Sequence, residues 1–161
     1  MQISPKRILW PTDFSDLSLC GGHYARAFAE QFGAEIHVLH VVAPPLSPDV
    51  SVMIPAEVPV SYSQPELIES SRSAMEKLIA QHFAGVEPVH REVAFGDAAQ
   101  CICRYAEEHA IDLIVVTTHG RTGLGHVLIG STAERIVQHA PCPVLTVKSR
   151  QRGFVQPPPA E

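Results

Sequence analysis

Five short runs rich in Val, Ile and Leu alternate with longer stretches of helical periodicity. This alternation restricts the chain more than any other feature. The runs are RILW (7–10), IHVLHVV (36–42), PVHREVA (88–94), DLIVVTT (112–118) and PVLTVK (143–148). The second and fourth are almost continuously apolar, as strands buried on both faces of a parallel sheet are. Between the runs lie four helical patterns. Cys20, Tyr24, Phe28 and Phe32 recur every four residues, and Gly33 supplies a C-terminal stop. Ile68, Met75, Ile79 and Phe83 mark the second, with Leu67, Ala74 and Leu78 beside them. Asp97 is placed to cap a third, which carries Ile102, Tyr105 and Ala106. Ser131 with Glu134 forms a capping-box pattern for a fourth, which carries Ile136 and Val137. Strands and helices in strict alternation imply right-handed βαβ units. The expected fold is an open, doubly wound α/β sheet of five parallel strands with helices on both faces, Rossmann-like in architecture.

A chain of 161 residues is the size of one domain. It can bury roughly 70% of the surface that its unfolded form exposes, so a single core suffices. The net charge of −5 argues against a nucleic-acid binder, which usually carries a basic face. It leaves room for a phosphate ligand, which needs only local donors. No run approaches the roughly 18 apolar residues of a membrane span, and the N-terminus shows no secretory signal. Cys20, Cys101, Cys103 and Cys142 form no CxxC pair. The expected location is the cytoplasm, with no membrane and no nucleic-acid partner.

Two segments stand outside the alternation. Residues 43–65 hold six prolines, Pro44, Pro45, Pro48, Pro55, Pro59 and Pro65, and read as a long loop over one face. Residues 149–161 read as a flexible polar tail. The domain is therefore expected over 1–148.

In an open α/β sheet, ligands bind outside the carboxyl ends of the strands. The first strand ends there at Pro11-Thr12-Asp13 and the fourth at Thr117-Thr118-His119-Gly120. Gly130-Ser131-Thr132 opens a helix, and its backbone amides suit an anion. On these residues alone two readings stand. Either they cradle a phosphate, or Gly120 and Gly123 make a turn and Ser131 caps a helix. A helix terminus contributes about 0.3–1 kcal/mol to an anion, and up to about 2 when partly buried. Micromolar binding needs about 8 kcal/mol, so a base pocket or a metal would have to add to the phosphate contacts.

Other chemistries are less well served. The chain has nine histidines. Cys101 and Cys103 point to different faces of a helix, and His139 and Cys142 lack a second pair at zinc spacing. Buried small thiols are the expectation. No G-x-S-x-G elbow occurs. No GxxxxGK[ST] loop occurs either, so the lysine that such an ATPase uses on its phosphates is missing and efficient hydrolysis is not expected.

The chain resembles a universal stress protein of the single-domain type. The likeness rests on RILWPTDFS (7–15), EIHVLHVV (35–42) and THGRTGLGHVLIGSTAERIVQHAPCPVLTVK (118–148). ATP-binding members of that family carry G-x2-G-x9-G-[ST]. Here Gly120, nine intervening residues and Gly130-Ser131 fit that spacing, and Thr117 stands where the motif has its first glycine. The resemblance implies the strand order 3-2-1-4-5. It also implies ATP as ligand, with Mg²⁺, in a sensor or regulator that is at most a weak ATPase.

Residue by residue, it implies that Pro11, Thr12 and Asp13 border the nucleotide. Val41 would offer backbone atoms and an apolar wall to adenine. Val116, Thr117 and Gly120 would line the ribose and phosphate side, and Gly130, Ser131 and Thr132 would donate to phosphate. Asp13 would reach a phosphate-bound Mg²⁺ through water or cap the first helix. Arg121 reads equally as a phosphate clamp or a solvated loop charge. His126 reads as a surface residue, and His119 as one that holds the loop. A homodimer through the edge strand 143–148 is implied as well. The family also has members without ATP, so a dimeric interaction module that binds an unknown protein partner and no nucleotide is the second expectation, prompted by Thr117.

Overall fold

The computed structural model describes residues 4–44, 64–118, 131–148 and 153–155. In chain order the elements are β1 (Arg7–Pro11), α1 (Asp16–Phe32), β2 (Glu35–Val42), α2 (Gln64–His82), β3 (Val89–Phe95), α3 (Ala98–Glu108), β4 (Leu113–Thr117), α4 (Ser131–His139) and β5 (Val144–Val147). The strands form one sheet in the order β3-β2-β1-β4-β5, and every pairing is parallel. From β1 the chain winds outward through β2 to β3. It then crosses back to lay β4 on the other side of β1. β1 and β4 therefore bracket the switch point of the sheet.

Period-two alternation along each strand divides the interior into two apolar layers. Ile8, Trp10, Ile36, Val38 and Val115 face α1 and α2. Leu9, Leu39, Ile114 and Val116 face α3 and α4. Ile8, Leu9 and Trp10 are fully buried, which explains why the first run is apolar at consecutive positions.

Local chemistry ends the helices where the sequence marks them. Ser15 accepts a hydrogen bond from the Ser18 N–H at 3.1 Å and caps α1. Gly33 closes α1 at φ 63°, a left-handed turn that glycine takes without a side-chain clash. Asp97 caps α3 through the Gln100 N–H at 2.9 Å. Both of its carboxylate oxygens also accept from Arg135 of α4, at 2.7 and 3.0 Å, which ties the two helices on that face.

The structure departs from the sequence reading in three places. The face of α1 that meets the sheet is made of Ser18, Gly21, Gly22, Ala25 and Ala29. The stripe of Cys20, Tyr24, Phe28 and Phe32 is only half-buried, at the border of the layer. Second, α2 begins at Gln64, so Pro65 lies in its first turn and not in the preceding loop. Proline is tolerated there because the N–H it lacks would have no helical acceptor. Third, the tail contributes a contact. The Phe154 N–H donates to Tyr24 Oη at 3.2 Å, and the Phe154 ring stands edge-on to Tyr24 with centroids 5.0 Å apart. Residues 45–63, 149–152 and 156–161 lie outside the described residues. No helix among the described residues is long and apolar enough to cross a membrane.

Candidate functional site

At the carboxyl ends of β1, β2 and β4 the sheet opens into a cleft of about 420 Å³, within the range of small-molecule sites. Its position follows from topology. α1, which follows β1, and α4, which follows β4, pack on opposite faces of the sheet.

Eight residues singled out from the sequence line this one cleft: Pro11, Thr12, Asp13, Val41, Val116, Thr117, Ser131 and Thr132. Gly120, Arg121 and Gly130 lie outside the described residues, as do His119 and His126.

The loop after β1 is held tightly. The Thr12 N–H donates to the Leu39 carbonyl at 2.9 Å. Thr12 Oγ1 accepts from the Phe14 N–H at 3.1 Å and shares a hydrogen bond of 2.9 Å with Ser18 Oγ. Asp13 Oδ1 accepts from both the N–H and the hydroxyl of Ser15, at 3.0 and 2.6 Å. Asp13 thus braces the α1 cap from outside, while Ser15 makes the cap itself. Phe14 takes φ 62°, a left-handed backbone rare for a bulky residue. Its ring lies over His40 with centroids 4.2 Å apart, and His40 Nδ1 lies 2.8 Å from the Thr12 carbonyl oxygen.

Strand alternation decides where Thr117 points. It shares the face of Leu113 and Val115, toward α1. A Cβ built on Gly21 would stand 3.3 Å from its Cγ2 methyl. The methyl is therefore accommodated by an α1 position that has no side chain, and the crowding it would otherwise cause is taken up on the helix side.

The opposite wall is apolar. Leu39, Ile102, Val116, Ala133 and Ile136 line the cleft and belong to the core layer beneath α3 and α4. Sequence reasoning did not single out Leu39, Ile102 or Ile136 for the site. In sequence they carry only a core signal, and they line the cleft while remaining part of the buried core. On the polar side, Ser131 and Thr132 form the first turn of α4. The leading N–H groups of a helix have no intrahelical acceptor and carry partial positive charge. The cleft thus presents an apolar wall to one part of a ligand and helix amides to another. That arrangement suits a molecule with an aromatic base and a phosphate.

The cysteines offer no competing chemistry. All four are free. Burial pushes the Cys103 and Cys142 thiols above their ordinary values, so they stay protonated and weakly nucleophilic.

Comparison with known proteins covers nearly the whole chain. Residues 5–148 match the family described as the Universal stress protein family. Universal stress protein MJ0531 of Methanocaldococcus jannaschii is 39% identical over 151 residues, which is 91% of this chain and 84% of that protein. The solved structure of MJ0577 from the same organism superposes with a TM-score of 0.75 at 26% identity, covering 93% of this chain and 100% of that one. A universal stress protein solved in complex with cAMP shares the fold at a TM-score of 0.60 and 21% identity, covering 90% of this chain and 98% of that one.

Proposed function

The chain belongs to the universal stress protein family, and from that premise we propose that it is a cytoplasmic stress-response protein that binds ATP with Mg²⁺ in the cleft between β1 and β4. It would act as a sensor or regulator. One observation carries this reading: loops and strand ends separated by up to about 120 positions meet in one cleft with an apolar wall and a helix N-terminus. The cAMP complex of a structural neighbour supports it to the extent that the same fold there holds an adenine nucleotide.

In this reading Val41 and the Leu39 side of the cleft take the adenine. Burial of the base at roughly 25 cal/mol per Å² supplies what the phosphate contacts lack. Pro11, Thr12, Val116 and Thr117 flank the ribose. The amides of Ser131 and Thr132 donate to phosphate, and Gly120, Arg121 and Gly130 complete that side as the sequence motif implies. Asp13 reaches Mg²⁺ through water. Mg²⁺ would neutralise phosphate charge in a cleft that offers amides and hydroxyls. Hydrolysis is not part of the proposal, because the chain has no P-loop lysine.

Calorimetry of ATP against nucleotide-stripped protein, with and without Mg²⁺, is the direct test. The expected result is low-micromolar binding that Mg²⁺ strengthens. Thr132→Glu is the matching variant. Thr132 is exposed in the first turn of α4, where a carboxylate stabilises the helix. Two like charges about 4 Å apart at a protein surface repel by up to roughly 4 kcal/mol before salt screening, so ATP affinity should fall at least about ten-fold while the melting temperature holds or rises. Absence of ATP binding, with no nucleotide released on denaturation, would leave the second reading, a nucleotide-free interaction module, which Thr117 in the motif favours.

Under either reading the protein is proposed to be a homodimer through β5, an edge strand. The carbonyls of Pro143 and Val147 accept from Ile114 of β4 and from Thr118 just after it. Val144 and Thr146 therefore turn their backbone groups outward, where a second copy can pair. Thr146→Pro removes one outward N–H and leaves the pairing with β4 intact. Ultracentrifugation should show a wild-type dimer at micromolar concentration and a folded Thr146→Pro monomer. A wild-type monomer would refute the dimer.

A further inference from the structure

At the other end of β2, about 13 Å from Val41 by strand rise, three side chains converge. Glu35 and His37 are two residues apart and share the face that meets α3. His90 of β3 is the register partner of His37. The two imidazoles stack with centroids 4.5 Å apart. Glu35 Oε2 lies 3.8 Å from His37 Nε2 and 3.4 Å from His90 Nε2. One ligand atom from each of the three lies within 4.8 Å of the others. No second group of three His, Cys, Asp or Glu side chains comes this close among the described residues.

His37 makes the cluster more than a chance surface grouping. The residue is 4% exposed, and its Nδ1 lies 2.9 Å from Tyr105 Oη. Its Nε2 is buried with no hydrogen-bond partner. An orphaned buried nitrogen costs stability in either tautomer. When Nδ1–H donates to Tyr105, Nε2 carries a bare lone pair, 3.8 Å from Glu35 Oε2. That is the arrangement in which an outer hydrogen bond fixes a metal-binding imidazole.

We propose that Glu35, His37 and His90 form a site for a borderline transition-metal dication, with Zn²⁺ as the first candidate. Ligands about 2.0–2.2 Å from Zn²⁺ stand roughly 3.4 Å apart in a tetrahedron, close to the separations from Glu35. Two imidazoles and one carboxylate select this class over Mg²⁺ and Ca²⁺, which require mainly oxygen. Glu35 and His90 are 40% and 49% exposed, which gives the ion a path in and leaves the fourth position to water. Arg7 Nε, 3.8 Å from the same Glu35 oxygen, weakens the site, but its half-exposed guanidinium is screened by solvent. The site is separate from the nucleotide cleft and does not depend on it.

The experiment titrates Zn²⁺ into chelator-stripped full-length protein and into His90→Ala, Glu35→Gln and His82→Ala. His90 and Glu35 are exposed enough for their variants to fold. His82, whose ring lies 6.2 Å from His23, controls for an imidazole pair outside the cluster. The expected result is one saturable Zn²⁺ per chain, unaffected by millimolar Mg²⁺. Affinity should fall at least about 100-fold in His90→Ala and hold in His82→Ala. At about 100 times the dissociation constant, Zn²⁺ should raise the wild-type melting temperature by about 5–10 °C and leave His90→Ala unmoved. No saturable binding would overturn the site. Full affinity in both His90→Ala and Glu35→Gln, or loss in His82→Ala alone, would overturn it equally.

Discussion

Trp10→Ala should cost about 3–5 kcal/mol, the range for deleting a large buried aromatic. The indole is fully buried one residue before the end of β1. Its ring centroid lies 5.2 Å from that of Phe83, and its Nε1–H donates to the Ser18 carbonyl at 3.1 Å. Alanine would leave a cavity between α1 and the sheet. The surrounding backbone, tied by parallel pairing on both sides of β1, has little freedom to close it. Domains are stable by only about 5–15 kcal/mol, so the variant stands near the limit of folding. Urea unfolding should be followed by far-ultraviolet dichroism, because the mutation removes the single tryptophan. A loss below about 1 kcal/mol would mean that α1 settles onto the sheet and that the interior is softer than close packing allows. Ser18 also lines the cleft, so ligand affinity should drop in the same variant.

Gly22→Val should produce the second large effect, from the opposite cause. A Cβ on Gly22 would come within 2.8 Å of Trp10 Cζ2 and 3.0 Å of Cε2 and Cη2. The indole is enclosed and rigid, so α1 would have to lift. Overpacking costs about 1–3 kcal/mol for modest additions, and two further methyls place valine at about 3. Replacing glycine inside a helix recovers under 1 kcal/mol of propensity, too little to reverse the sign. The clash predicts its own rescue. Trp10→Phe combined with Gly22→Val should cost less than the two single changes summed, by about 1 kcal/mol or more. Additive costs would show that something other than this contact limits position 22.

Much of the fold is legible from the chain because the alternation of periods two and 3.6 coincides with local punctuation. Gly33 at φ 63° and Asp97 as a cap are both visible as residue types. The face of α1 is less legible. Apolar pattern reading weights Tyr24, Phe28 and Phe32, yet Gly21, Gly22 and Ala25 are what let the helix approach Trp10. Small residues carry almost no hydrophobic signal, although they set the distance between layers. In the cleft, the polar residues Thr12, Asp13, Ser131 and Thr132 announce themselves by type. Leu39, Ile102 and Ile136 do not, since a ligand wall that continues the core looks like core. The Glu35, His37 and His90 cluster was beyond sequence reasoning for another reason. His37 and His90 come together only through the β2–β3 register, which no spacing along the chain encodes. The histidines inside the otherwise apolar IHVLHVV run were the available hint.

The contact between Thr117 and Gly21 bears on how such a chain changes over generations. The two positions share one small volume, with a methyl on the strand side and bare backbone on the helix side. A lineage holding threonine at 117 is barred from large side chains at 21, and one with glycine at 117 keeps only the looser limit set by Trp10, whose Nε1 lies 3.5 Å from the same Cβ. Substitutions at the two sites should therefore become fixed in a set order. Drift at the end of β4 would leave its trace in a helix that lines the cleft only at its first turn.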